Sequence, residues 1–457
     1  MKCVFLNRDD EQRRLRRFLS GDRGGLAVVY GRRRCGKSTL IQHVAGSDDV
    51  YFLADQREAL LQIEALAREV QRLIPGFAAA RYPSWASLLE TLVARAPAGF
   101  NLLLDEFPYL VKASPELPSV IQHHLDAPGI KKINFLLCGS SQRMMQGLVL
   151  DRSVPLYGRA SEILRIEPLN AGWIREGLSV AGDAAIEAYA VWGGVPRYWE
   201  LAAPYRSLNG ALQELVLSKN GVLHEEPDRL LEDEMRSGSQ AKSLLSLIGM
   251  GCNRLSEIAG RMGKPAGSLT RALANLIELG YVRREVPFGE DLKTSKRTLY
   301  RLNDPFLRFY VRFVQPQRSL LEMGIMDVAT ETLKKEFAAY VGGHWEDLAR
   351  QSVPFLGIGS LRWGPASRWW GTGTNGIPME FDVVAESLDG QSIFVGEVKW
   401  TGERSAPDAV AADLMARVAH APFLKGRKVV AALWMRSGKA ATSIEVFTPD
   451  KVLDCLK

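Results

Sequence analysis

Apolar residues along this chain fall into three patterns, and each predicts a different kind of element. Short continuous apolar runs, at Leu26 to Tyr30 in GLAVVYG, in NLLLD ending at Asp105 and in INFLLCGSS, read as strands buried on both faces. Helical spacing takes over from about Ala171. It is clearest in the third of three amphipathic helices running from AKSLLSLIG to LGYV, where Leu269, Ala272, Leu273, Leu276 and Ile277 share one face. Near the end, FDVVA and SIFVGEVKW are β-rich runs separated by Asp389-Gly390, a hairpin signal. At 457 residues the chain exceeds what one core organises, and three or four domains are expected.

The first apolar run leads into chemistry. G-x-x-x-x-G-K-S follows the strand and opens a helix near Lys37, the setting a phosphate-binding loop requires. Gly31, Arg32, Arg33, Arg34, Cys35, Gly36, Lys37, Ser38 and Thr39 would wrap ATP. Lys37 would reach the β- and γ-phosphates and Ser38 would offer a hydroxyl to Mg²⁺, while the helix N-terminus adds its dipole. Asp105, at the end of the second run, would hold that ion through water, and Glu106 would polarise the attacking water. At the end of the third run, Ser140 or Ser141 either senses the γ-phosphate or simply forms a turn.

Composition narrows the setting. The five cysteines are scattered without a C-x-x-C pair, and the six histidines show no ligand spacing. Reduced thiols in a cytoplasm are expected, with no zinc and no disulfide frame. No apolar run reaches membrane-spanning length and the N-terminus has no signal-peptide core, so no membrane partner is expected. A net charge of +6 and a pI near 9.0 favour a polyanionic partner, or describe an ordinary basic surface.

The three helices are followed by a basic hairpin-like stretch, YVRREVPFGEDLKTSKRTLYR, and together they make a winged helix-turn-helix pattern. Outward positions of the third helix (Thr270, Arg271, Asn275, Glu278) are few for reading bases. The wing, with Arg283, Arg284, Lys293, Lys296, Arg297 and Arg301, is better supplied for phosphates. DNA and a protein partner both remain open for this module. In the C-terminal hairpin, a tight turn would set Leu388 opposite Gln391, Asp382 opposite Glu397 and Glu380 opposite Lys399, all on one face. Opposed carboxylates repel unless a cation lies between them, which suits a divalent metal. Glu346, on an upstream helix, could complete that acidic cluster, and Lys399 could orient a water.

The order of phosphate loop, D-E strand and polar-tipped strand resembles the AAA+/STAND-like P-loop ATPases over about the first 200 residues. Within them it is most similar to the archaeal-type ATPases. The shared elements are Phe5, Arg8 and Glu11 at the start, PLYGR ending at Arg159, and GGVPRY with Gly193, Gly194, Pro196 and Arg197. This resemblance implies an arginine-finger role for Arg159, the alternative being a surface ion pair, and a second sensor near the nucleotide that includes Arg197. Over about the last 120 residues, Glu346, Asp382, Glu397 and Lys399 resemble a PD-(D/E)xK, restriction-endonuclease-like domain, with Phe381 in place of the motif's proline. The expected architecture is multidomain α/β. A P-loop core with a parallel sheet spans 1–170, a helical lid 171–236, a winged helix-turn-helix 237–302, a helical connector 303–330 and the nuclease-like α/β domain 331–457. ATP, Mg²⁺, DNA through the winged helix and C-terminal domain, and a homo-oligomer are the implied partners. An ATP-gated DNA-processing or defence enzyme is one reading; the other is an ATP-dependent switch or transcriptional regulator on a non-cleaving scaffold.

Overall fold

The computed structural model describes residues 5–127, 133–234, 238–400, 406–437 and 444–457; Cys3 and the expected boundary at 236/237 lie outside them. The chain forms two compact units, Phe5–Pro168 and Leu169–Lys457.

The first unit is built on five parallel strands: β1 (Gly25–Gly31), β2 (Val50–Leu53), β3 (Asn101–Asp105), β4 (Asn134–Gly139) and β5 (Ala160–Ile166). Their order in the sheet is β2-β3-β4-β1-β5. Helices cover both faces, which is why the strands read as unbroken apolar runs. Leu26 and Val28 of β1 and Leu102 and Leu104 of β3 enter one core, while Ala27, Val29 and Leu103 enter the other. Because β4 lies between β1 and β3, the loop after β1 and the tips of β3 and β4 meet at the sheet's carboxyl edge. The N-terminal motif fastens this unit. Phe5 stacks on His43 of helix Lys37–Val44 at 4.5 Å, and the Arg8 guanidinium donates to the Glu167 carbonyl just past β5 and pairs with Glu11 at 3.2 Å.

The second unit begins with short helices. Leu169 N–H donates to the Gly194 carbonyl at 2.7 Å, and a side chain at 194 would meet the Leu169 carbonyl oxygen at 1.9 Å. Only glycine allows the two backbones to come this close, and Pro196 then opens the next helix, Pro196–Ala202. Helices Gly238–Gly249, Leu255–Met262 and Ala266–Glu278 share one core with β6 (Val282–Glu285) and β7 (Leu299–Leu302), an antiparallel pair. Leu269, Ala272, Leu273 and Leu276 are buried as the spacing requires, and Ile277 packs at the edge.

The arginines of the β6–β7 segment, expected as a wing, are less available than the sequence suggests. Arg283 pairs with Asp347 at 2.6 Å and Glu285 at 2.8 Å, and Arg301 pairs with Glu285 at 2.9 Å. Arg284 donates to the Leu292 carbonyl, and Arg297 binds Glu290 and the Trp370 carbonyl. Lys293 and Lys296 stay exposed.

A 26-residue helix, Asp327–Ser352, leads to a mixed sheet of β8 (Ser367–Thr372), β9 (Pro378–Glu386), β10 (Ser392–Lys399), β11 (Lys428–Met435) and β12 (Glu445–Phe447), ordered β12-β11-β10-β9-β8. β8, β9 and β10 run antiparallel, whereas β10, β11 and β12 run parallel, with helix Pro407–Val418 between β10 and β11 in sequence. The β9–β10 register pairs Glu386 with Ile393 and Val383 with Gly396, and carrying it one step further sets Asp382 against Glu397. The turn differs from expectation. Ser387 and Ser392 close the ladder at 3.0 Å, and Leu388 donates instead to the Arg362 carbonyl at 2.9 Å, so Leu388 and Gln391 do not pair. Asp389 organises this four-residue connection by accepting from Ser387 Oγ at 2.6 Å and Gln391 N–H at 3.0 Å.

Gly194→Ala should lower stability by about 1–3 kcal/mol, the usual cost of forcing atoms into a filled site. A denaturant midpoint matching the wild type's would show that the Leu169 backbone can retreat without loss.

Candidate functional site

At the carboxyl edge of the first sheet, Gly36 adopts a left-handed conformation (φ 84°) that turns the chain into helix Lys37–Val44. Lys37 Nζ donates to the Gly31 and Arg32 carbonyls at 2.9 and 2.8 Å, so the ammonium lies within the curl of the loop. Arg32 and Cys35 are buried, Arg33, Arg34 and Ser38 half-buried and Thr39 exposed. Asp105 is buried with both carboxylate oxygens engaged: Oδ2 accepts from the Tyr51 hydroxyl at 2.8 Å and Oδ1 from Glu106 N–H at 2.9 Å. The Cys138 thiol lies in this field too, pushed up first by burial and then by Asp105, with Lys37 opposing.

Glu106 opens helix Phe107–Ala113 in a left-handed conformation (φ 52°), which is costly for a residue with a side chain. Its Oε2 accepts from Ser140 Oγ at 2.9 Å and Ser140 N–H at 3.4 Å. The two serines differ in what they hold. Ser140 holds Glu106, whereas Ser141 is the local turn-former, accepting from Met144 N–H to cap helix Gln142–Met145. Arg159 forks onto Asp126, with Nη2–Oδ2 at 2.7 Å and Nε–Oδ1 at 2.9 Å, and also donates to the Pro155 carbonyl. Arg197 lies in the second unit and pairs with Glu200 at 2.8 Å.

The second cluster lies on β9 and β10. Glu397 is buried with both oxygens engaged, Oε1 by Lys399 Nζ at 2.6 Å and Oε2 by Arg417 Nη2 at 2.7 Å. Arg417 also donates to the Glu380 carbonyl at 2.7 Å and lies over the Phe381 ring at 5.5 Å. Asp382 Oδ2 accepts from Val398 N–H at 3.0 Å. Burial pushes the Asp382 carboxyl up to about 7, helped by the Glu397 and Glu346 charges, so these three acids share one field. Burial likewise raises Glu346 against the pull of Arg350. Burial disfavours the Lys399 ammonium, but its hydrogen bond to Glu397 and the Glu397 and Asp382 charges together outweigh this and hold it above the ordinary lysine range. Glu380 turns to Arg368 instead of Lys399. Among the described residues, no three His, Cys, Asp or Glu side chains form a group that could hold a metal ion.

Comparison with known proteins settles the family. A model of an ATPase domain found predominantly in Archaea matches residues 5–201, and one of archaeal and bacterial proteins of unknown function matches residues 310–409. An uncharacterised protein of Methanocaldococcus jannaschii is 30% identical over 414 residues, covering 87% of this chain and 88% of its own. The chain belongs to the archaeal-type ATPase family. Its fold is similar to that of a Walker-type ATPase of Pyrococcus abyssi, with a TM-score of 0.51 and 20% identity over 67% of this chain and 95% of the other. The ORC2 protein of Aeropyrum pernix matches at a TM-score of 0.46 and 17% identity, over 70% and 94% of the two chains. The first unit is thus the nucleotide-binding ATPase core of this family. No helix among the described residues is long and apolar enough to cross a membrane.

Two residues of these clusters escape a sequence reading. Tyr51 is the one polar group in VYFL, a weak signal, and Arg417 sits at helical spacing from Asp413, which suggests only a surface pair.

The Asp382 carboxyl has a sign that can be tested. Its folded pKa is raised above the unfolded value near 3.8, so its contribution to stability is present at low pH and is lost as pH rises through about 7. Asp382→Asn should therefore come closest to wild type near pH 4, the unfolded value, and unfold at a higher temperature than wild type at pH 8. Equal midpoints at both pH values would mean that the carboxyl titrates normally.

Proposed function

We propose that this chain hydrolyses ATP to drive a second unit that handles DNA, through a winged-helix module and a restriction-endonuclease-like C-terminal region. The observation that carries the ATPase reading is the gathering of Lys37, Asp105, Glu106 and Ser140 at one sheet edge. On binding ATP, Lys37 would exchange the Gly31 and Arg32 carbonyls for the β- and γ-phosphates. The Ser38 hydroxyl and Asp105 carboxylate are hard oxygen donors, so they suit magnesium, which when bound neutralises phosphate charge. Glu106 orients and polarises the attacking water, and Ser140 keeps its carboxylate in position between turnovers.

Three helices followed by an antiparallel pair support the winged-helix reading, and exposed Lys293 and Lys296 supply phosphate contacts. Asp382 set against Glu397, with Lys399 two residues on, supports a nuclease-like centre. A divalent ion there would have to displace Lys399 or Arg417 from Glu397. That clamp favours a second reading, a non-cleaving platform within an ATP-dependent switch. Incubating plasmid and single-stranded DNA with Mg²⁺ or Mn²⁺, with and without ATP, separates them. Cleavage that Asp382→Asn abolishes supports the nuclease, whereas intact DNA beside active ATP hydrolysis supports the platform.

Lys37→Ala should abolish nucleotide binding. Glu106→Gln should retain binding and lose about 10²–10⁴-fold in turnover, as expected for a lost general base. Hydrolysis at the wild-type rate in Glu106→Gln would assign the base elsewhere. Replacing Lys293 and Lys296 with glutamine should reduce the salt slope of DNA binding by roughly 2. An unchanged slope would turn this module toward a protein partner.

A further inference from the structure

We infer that Tyr51 is a positioning residue for the ATPase reaction, fixing the Asp105 carboxylate and thereby setting the magnesium affinity of the nucleotide site. The inference rests on the magnesium reading proposed above and adds a residue that the motif does not contain.

The argument starts from the sheet. In the parallel β2–β3 register Leu53 lies beside Asp105 and Tyr51 beside Leu103. Tyr51 packs with Ala27, Val29, Leu103 and Leu136 on the face covered by helix Lys37–Val44. A phenol on such an apolar face costs stability unless its hydroxyl finds partners. Here it has one on each side: it donates to Asp105 Oδ2 at 2.8 Å and is hydrogen-bonded by Gln42 of helix Lys37–Val44. Tyr51 thus links the acid at the tip of β3 to the helix that carries Lys37 and Ser38.

The geometry of Asp105 gives this link a function. Each carboxylate oxygen accepts more than one hydrogen bond. Glu106 N–H on Oδ1 and the Tyr51 hydroxyl on Oδ2 fix the rotation of the group, and with the Cys138 thiol as a third, weak donor the two oxygens still have acceptor capacity for metal-bound water. These donors are neutral, so they orient the carboxylate without pairing it with a cation. Without the hydroxyl, the Glu106 N–H and the Cys138 thiol would be left to restrain the carboxylate, and part of the metal's binding energy would go into ordering it.

Tyr51→Phe in the full chain removes the hydroxyl and retains the ring. The measurement is the affinity for a fluorescent ATP analogue in EDTA and across a magnesium titration. The EDTA affinity should match wild type, while the half-saturating magnesium concentration rises about tenfold, in line with loss of a hydrogen bond to a charged group. Gln42→Leu, which acts on the far side of the phenol, should shift it in the same direction by less. An unchanged half-saturation in Tyr51→Phe would overturn the inference. Equal weakening in EDTA and in magnesium would also overturn it, because the ring would then serve the loop's packing alone. If wild type itself shows no tightening by magnesium, the magnesium reading fails first and this inference falls with it; if wild type tightens and Asp105→Asn tightens equally, the ion is bound without Asp105, which overturns the inference while the magnesium reading stands.

Discussion

The second unit depends on one buried carboxylate. Asp347 accepts from Arg283 of β6 at 2.6 Å, Arg308 at 2.7 Å and Arg350 of its own helix at 2.5 Å. Burial alone would raise its pKa, yet the three guanidinium groups hold it well below the ordinary carboxylate range. Its ionised form is therefore a condition of the packing. A charge buried at this depth is tolerable only with its partners, so the β6–β7 pair, the segment carrying Arg308 and the long helix are held together through it. Arg350 extends the network by donating to the Asp382 carbonyl at 2.8 Å, so the strand bearing Asp382 is tied to the same hub.

This hub explains why the wing's basic sequence does not translate into a basic surface. Read along the chain, Arg283 and Arg301 belong to a run of cations suited to a polyanion. In space, Glu285 lies between them, and Arg283 also faces Asp347, 64 residues away. Alternation along a strand shows which residues share a face, but not which face meets a buried acid from a distant helix. Electrostatic footprint has to be counted from uncommitted charges, which between β6 and β7 leaves exposed Lys293 and Lys296, beside Arg254, Lys264 and Arg271 exposed in the preceding helical segment.

The legible parts of the molecule are those whose physics is local. The phosphate loop's glycines, the apolar strand before it and the acids at the tip of β3 all follow from short-range constraints and could be read from a few adjacent residues. The β9–β10 register was legible for the same reason, since two β-rich runs around one turn leave little freedom. Even there the turn closes on Ser387 and Ser392, because side-chain bonds from Ser387 and Asp389 compete with the two-residue alternative. Arg417, Tyr51 and the Asp347 hub were not legible. Each acts across a tertiary contact, and no local pattern says which strand a helix-borne arginine will reach.

The two carboxylate clusters differ in what holds them, and this difference bears on their chemistry. At the first, Asp105 and Glu106 are fixed by neutral donors: a phenol, a serine hydroxyl and backbone N–H groups. Neutral donors orient an acid without cancelling its charge, so the site keeps the negative potential that a hydrated divalent ion requires. At the second, Glu397 is fixed by two cations, Lys399 and Arg417, which already supply the positive charge a metal would bring. Asp382, half-buried and opposed by Glu397 and Glu346, is instead pushed toward its protonated form. The same residue types at strand ends are therefore poised differently. The first can bind a metal without first losing a partner, whereas the second must exchange a cation or release a proton before it can do so.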